Sequence, residues 1–143
     1  MSGNKKLIIK SVDDDTNAFN DYMAARRLPN KTTEEKKVRE IAMQIGLKQA
    51  VRVPLKTAEL SYKAIEIAQT VVLNGNPNSI TDVGVGAQSS YTGVLGGIYN
   101  VLINLKDIKD EKFNSEMRKS CAELKDKAKK KLSEVLGFVE SKL

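Results

Sequence analysis

The sequence predicts an all-α fold, an antiparallel bundle of about four long helices. Three observations carry that expectation. Aromatic residues are few and prolines only three, while Ala, Leu, Ile, Lys and Glu abound, a composition suited to helices. Apolar residues recur three, four or seven positions apart, the spacing of one helix face. The 143 residues suit one domain with a real core.

Met1–Lys6 reads as a frayed start. A first helix is expected from about Leu7 to Arg27, with Ile8, Val12, Phe19 and Tyr22 on one face. The acidic run Asp13-Asp14-Asp15 crosses that helix at about 100° per residue, so its members cannot share one environment. Asp15 falls on the apolar stripe, seven after Ile8 and four before Phe19. A carboxylate there must be paired, bonded or protonated, and such groups have raised pKa values or sit in ion-pair networks.

Leu28-Pro29-Asn30-Lys31 breaks the chain, and Thr32 with Glu35 forms a capping-box signature for a helix to about Leu73. Val38, Ile41, Ile45, Lys48, Arg52 and Leu55 mix apolar and basic positions along it. Pro54 predicts a kink or a break near Val53, since proline lacks the amide donor and crowds the preceding turn. Arg52 beside it is either solvated or placed to meet an anion.

Asn74-Gly75-Asn76-Pro77 is dense turn chemistry, with glycine supplying positive φ. Ser79 and Asp82 then mark the start of a glycine-rich helix. One face carries Ile80, Val83, Ala87, Val94, Ile98, Val101 and Leu105, a core stripe. Another carries Asp82, Gly86, Ser89, Gly93, Gly96, Asn100 and Asn104, small and polar together. Such a face admits either a neighbouring helix or a flat ligand close to the backbone. Asp110 caps a last helix from about Glu111 to Ser141, with Phe113, Met117, Cys121, Leu124, Ala128, Val135 and Val139 inward. Its Lys125–Lys131 run reads as a solvated face.

The absence of His and the single Cys exclude Ser-His-Asp triads, Cys-His dyads and the usual zinc sites, and Cys121 reads as a small core residue. Acid–base chemistry falls to carboxylates, Lys or Tyr, and no metal is expected. The formal charge of +6 (24 basic less 18 acidic) favours an anionic partner. Without interleaved aromatics or a reading helix, nucleic acid is not the expected one. The Gly84-Val85-Gly86 run lacks the third glycine and a preceding strand, so a dinucleotide fingerprint fails. One cysteine and no visible signal peptide place the chain in the cytoplasm, and the polar face of Val83–Leu105 speaks against a membrane span.

The residues Asp13-Asp14-Asp15-Thr16-Asn17-Ala18-Phe19, Arg27-Leu28-Pro29, Val53-Pro54-Leu55, Gly75-Asn76-Pro77-Asn78-Ser79 and Asn100-Val101-Leu102-Ile103-Asn104-Leu105 occur in an order that resembles the cyclodeaminase domain of formiminotransferase-cyclodeaminases, whose relatives include methenyltetrahydrofolate cyclohydrolases. The resemblance implies an antiparallel helical domain that forms homo-oligomers, dimers or higher. It implies closure of 5-formiminotetrahydrofolate to 5,10-methenyltetrahydrofolate with loss of ammonia, tetrahydrofolate being the substrate carrier with or without a polyglutamate tail. The matching motif implies Asp15 as the acid–base residue, the residue that the apolar stripe also singles out. Asn78, Asp82, Asn100 and Asn104 are the expected pterin-positioning residues. The family's N-terminal segment with a Pro-Gly-Gly-Gly-Ser-like motif has no counterpart before Leu7, so residues 1–143 read as a single domain lacking it. The alternatives are a methenyltetrahydrofolate cyclohydrolase, or a truncated non-catalytic domain that binds folate or assembles into oligomers.

Overall fold

The computed structural model describes residues 16–143. Helix α1 covers residues 16–26. Helix α2 is Thr33–Asn74, α3 is Ile80–Asn104 and α4 is Glu111–Glu140, with short 3-10 turns at Pro77–Ser79 and Leu105–Asp107. The all-helical bundle is therefore as expected.

The cap chemistry explains the starts. Thr32 Oγ1 accepts from the Glu35 amide, and the Glu35 carboxylate accepts from the Thr32 and Lys31 amides, so the expected capping box opens α2. Asp110 Oδ1 accepts from the Phe113 amide at 3.0 Å and opens α4. At α3 the expectation is corrected: Ser79 is the cap position but its side chain makes no capping bond. The 3-10 turn before it already carries helical backbone, with the Ser79 amide donating to the Asn76 carbonyl and Asn76 Oδ1 accepting from the Asn78 amide. Gly75 likewise works differently from the expectation, since its φ is −91° and no described residue has positive φ. Its value lies in the missing Cβ, which would collide with the Val71 carbonyl that its own amide bonds at 2.7 Å.

Neighbouring pairs set the directions. Asn104 meets Ala50, Gly97 meets Pro54 and Ala58, and Gly93 meets Ser61, so α3 runs antiparallel to α2. Gly84 faces Val139 and Leu136, making α4 antiparallel to α3, while Lys48–Asp110 and Gln69–Glu134 show α4 parallel to α2. The core lies on seven-residue spacings: Val51, Ala58, Ile65 and Val72 on α2, Ala87, Val94 and Val101 on α3, and Cys121, Ala128 and Val135 on α4. A repeat of seven, near two helical turns, keeps one seam facing its partner and suits near-parallel packing.

Pro54 does not break α2, which runs through it unbroken. Proline leaves the carbonyl four residues back without its amide donor. That carbonyl belongs to Ala50, and Asn104 Nδ2 donates to it at 3.3 Å. A side chain from α3 thus replaces the missing backbone bond.

Other expected positions move. In α1 the buried residues are Ala18 and Ala25, with Tyr22 half-buried, whereas Phe19 is exposed. Val38, Ile41 and Ile45 form an exposed stripe on α2. In α4, Met117 and Leu124 are only half-buried, while Asn114 and Leu132 are buried. Cys121 is buried as expected, and the lysines at 125, 127, 129 and 130 are exposed. Lys131 is half-buried and braces α4 to α2 through Glu134 and Gln69.

Candidate functional site

Helix α1 crosses α2 at Gly46, where an added Cβ would lie 3.0 Å from the Tyr22 backbone. The close approach is possible because glycine presents no side chain there. Beyond it the two helices diverge enough to leave a groove of about 250 Å³, lined by Asn17, Asp21, Gln49, Arg52, Val53 and Lys56. Its α1 wall is one amide and one carboxylate a turn apart, and its α2 wall places Gln49, Arg52 and Lys56 on one face by their spacing. The Arg52 guanidinium carbon is 5.8 Å from the centroid of the Phe113 ring, which also has the Lys48 ammonium at 5.3 Å.

Asp15, the expected acid–base residue, lies outside the described residues. In sequence it stands two positions before Asn17, a residue of the groove. Asn100 is exposed on α3, one turn before Asn104, at the same end of the bundle. Asn104 is half-buried, and its Nδ2 is engaged by the Ala50 carbonyl, so its amide acts first as a structural brace.

Asn78 and Asp82 sit elsewhere. Both are exposed at the turn between α2 and α3. Eighteen residues of helix at about 1.5 Å each separate Asp82 from Asn100 by about 27 Å. Within one copy, the four expected positioning residues therefore form two groups. Beside the Asn78 turn lies a cavity of about 320 Å³ lined by Val71, Pro77, Ile80, Val83, Phe138 and Lys142.

The small-residue face of α3 also divides. A Cβ at Gly97 would lie 2.6 Å from the Pro54 carbonyl oxygen and 2.8 Å from Ala58 Cβ, and one at Gly93 would lie 2.7 Å from Ser61 Oγ. Those two glycines serve helix packing. Gly86 and Gly96 face open space, with Asp82, Ser89 and Asn100 also exposed.

The shifted titratable groups belong to the scaffold. Lys48, hydrogen-bonded at 2.7 Å, and the Phe113 amide hold the Asp110 carboxyl below its usual range. A hydrogen bond from Lys131 lowers Glu134 in the same way. Burial raises the Cys121 thiol, which disfavours its thiolate. Burial, with a bond to Glu66, also raises Tyr62. Among the described residues no group of three or more His, Cys, Asp or Glu side chains is arranged to hold a metal, and no helix is long and apolar enough to cross a membrane.

Asn17, Asp21, Gln49 and Lys56 were not singled out by sequence reasoning. Their signal was the polar i, i+3, i+7 spacing of Gln49, Arg52 and Lys56, of which only Arg52 stood out beside the proline.

Comparison with known proteins adds a family match. A family model described as formiminotransferase-cyclodeaminase matches residues 1–123. The formimidoyltransferase-cyclodeaminase of Sus scrofa is 40% identical over 131 residues, covering 92% of this chain and 24% of that protein. The methenyltetrahydrofolate cyclohydrolase of Methylorubrum extorquens is 36% identical over 117 residues, covering 82% of this chain and 56% of that one. The crystal structure of a formiminotetrahydrofolate cyclodeaminase from Thermotoga maritima has the same fold, with a TM-score of 0.83 at 23% identity over 99% of this chain and 66% of that one. The chain spans about a quarter of the length of the curated transferase-cyclodeaminase relative and about half of the cyclohydrolase.

Proposed function

The chain belongs to the formiminotransferase-cyclodeaminase family, and from that premise we propose that it closes 5-formiminotetrahydrofolate to 5,10-methenyltetrahydrofolate with release of ammonia. The observation that carries this reading is the match of 92% of the chain, at 40% identity, to a protein named for that activity.

In this reading Asp15 is the acid–base group. N10 attacks the carbon of the formimino group, whose nitrogen is protonated, and a new C–N10 bond forms. The carboxylate takes the N10 proton and returns it to the formimino nitrogen, which departs as ammonia when its C–N bond breaks. One group performs both transfers, which requires a carboxyl pKa nearer the working pH than that of a solvated aspartate. Asn100 contributes to positioning the pterin, while Asn104 holds α2 in shape beside it. Asn78, in the 3-10 turn before α3, and Asp82, in the first turn of α3, lie too far from Asn100 to join that site within one copy. They contribute from a second copy of the chain, and the exposed Val38–Ile41–Ile45 stripe supports such self-association.

The test is turnover of 5-formiminotetrahydrofolate by the chain and by an Asp15→Asn variant. Turnover that disappears in the variant supports the assignment, and equal turnover in both overturns the role of Asp15. The second reading, hydrolysis of the methenyl ring, is favoured by the larger share of the cyclohydrolase that the chain covers. Turnover of methenyltetrahydrofolate alone would select it. Folate binding without either turnover would leave a binding domain.

A further inference from the structure

Asn74 and Gly75, at the end of α2, each hold their place for a separate reason. The last carbonyls of a helix lack intrahelical donors, and Asn74 Nδ2 donates to one of them, on Thr70, at 3.0 Å. Gly75 donates its amide to the Val71 carbonyl at 2.7 Å, and a Cβ at position 75 would collide with that same oxygen. The two requirements set a glycine directly after an asparagine, and no other asparagine in the sequence is followed by glycine. Both residues are exposed to solvent. Such a pair carries its own chemistry, because a backbone nitrogen unhindered by a following Cβ can reach the preceding carboxamide carbon.

We infer that Asn74 is a self-modification site, whose deamidation to aspartate or isoaspartate is held back by the last turn of α2. In the reaction the Gly75 nitrogen gives its proton to solvent and bonds to Asn74 Cγ. The Cγ–Nδ2 bond breaks, and Nδ2 takes a proton and leaves as ammonia. Water then opens the imide ring at either carbonyl. The fold opposes the first step twice. The Val71 carbonyl holds the Gly75 proton, and the bond to Thr70 turns the Asn74 carboxamide back along the helix. Both bonds open before nitrogen meets carbon. The product does not close the turn again, since a carboxylate at position 74 has no proton for the Thr70 carbonyl. It also adds negative charge where the helix end already concentrates it, and the last turn of α2 has no basic residue to offset it. An isoaspartate further lengthens the backbone just ahead of the turn in which Asn76 Oδ1 accepts from the Asn78 amide. Conversion therefore runs one way and accumulates with each opening of the helix end.

Peptide mass spectrometry of the whole chain, incubated at neutral pH either folded or in urea, measures conversion at Asn74. Two hydrogen bonds of ordinary net strength correspond to about thirtyfold, so conversion should be about thirtyfold slower in the folded chain. Leu73→Gly, at an exposed position of the last turn, weakens the helix end and should speed folded-state conversion about fourfold. In urea the two proteins should convert at the same rate. Equal folded and unfolded rates in the wild type, or no acceleration in Leu73→Gly, would overturn the restraint by α2. Faster conversion in urea at any other asparagine would overturn the choice of Asn74. Amide hydrogen exchange of an Asn74→Asp variant should be faster at Gly75 and unchanged at Ala128 in the core of α4. Wild-type protection at Gly75 in that variant would overturn the one-way step.

Discussion

Asn104 and Pro54 should be energetically coupled although they lie on different helices. In the wild-type chain, replacing Asn104 by Ala removes the bond to the Ala50 carbonyl and leaves that acceptor without its α3 donor. A net intramolecular hydrogen bond contributes about 1 kcal/mol, and an orphaned, partly buried carbonyl adds about another. The higher helix propensity of alanine returns about 0.5 kcal/mol near the end of α3. The expected loss is therefore about 1–1.5 kcal/mol, or about 3–5 °C in Tm for a chain of this size. In a Pro54→Ala background the restored amide bonds Ala50 directly, so Asn104→Ala should then be neutral or slightly stabilising. Urea unfolding of the four proteins, followed by helical circular dichroism, gives the coupling as a double-mutant cycle. Equal losses in both backgrounds would refute the replacement of a backbone bond by the Asn104 side chain. An increase in KM for folate without loss of stability would instead restore Asn104 as a ligand contact.

Two further predictions follow from the packing and the charges. Gly96→Ala should raise stability by about 0.5–1 kcal/mol, because open space meets its Cβ and helix propensity alone changes. Gly97→Ala, one residue on, should lower it by about 1–3 kcal/mol, since its Cβ meets the Pro54 carbonyl and α2 must move away; thermal melts of the pair decide this, and melts of the same sign would refute it. Asp110 and Glu134 have lowered pKa values, so their contribution is present above the unfolded carboxyl values near pH 4 and is lost as pH falls through the folded ones. Tm should therefore drop on acidification below about pH 4.5, less steeply in an Asp110→Asn/Glu134→Gln variant, and parallel curves would exclude these two groups.

Much of the scaffold was legible because its signals are local. The Thr32–Glu35 box, the Asp110 cap and the Ala87–Val94–Val101 stripe each depend on a few neighbouring residues, and each appears as expected. Pro54 was ambiguous because its outcome depends on Asn104, fifty residues away in sequence. Phe19 falls off the inner face of α1, which carries Ala18, Tyr22 and Ala25 and meets α2 where Gly46 admits the Tyr22 backbone. Asn100 and Asn78 share a motif order, but helix length carries them to opposite ends of the bundle. The α2 wall of the groove follows helical spacing, but its pairing with Asn17 and Asp21 of α1 arises only through tertiary packing.

The seven-residue core spacing has an ambiguity built into it. If α3 slid along α2 by one repeat, apolar residues would again face apolar residues. Hydrophobic burial alone therefore does not choose the register. The contacts around Pro54 do, since a slide of seven positions would bring either Ser90 or Asn104 to the place of Gly97, against a carbonyl that leaves no room for a side chain. Either slide would also strand the Ala50 carbonyl. The proline that should weaken α2 thus acts as its index mark, fixing which of several similar alignments the bundle adopts.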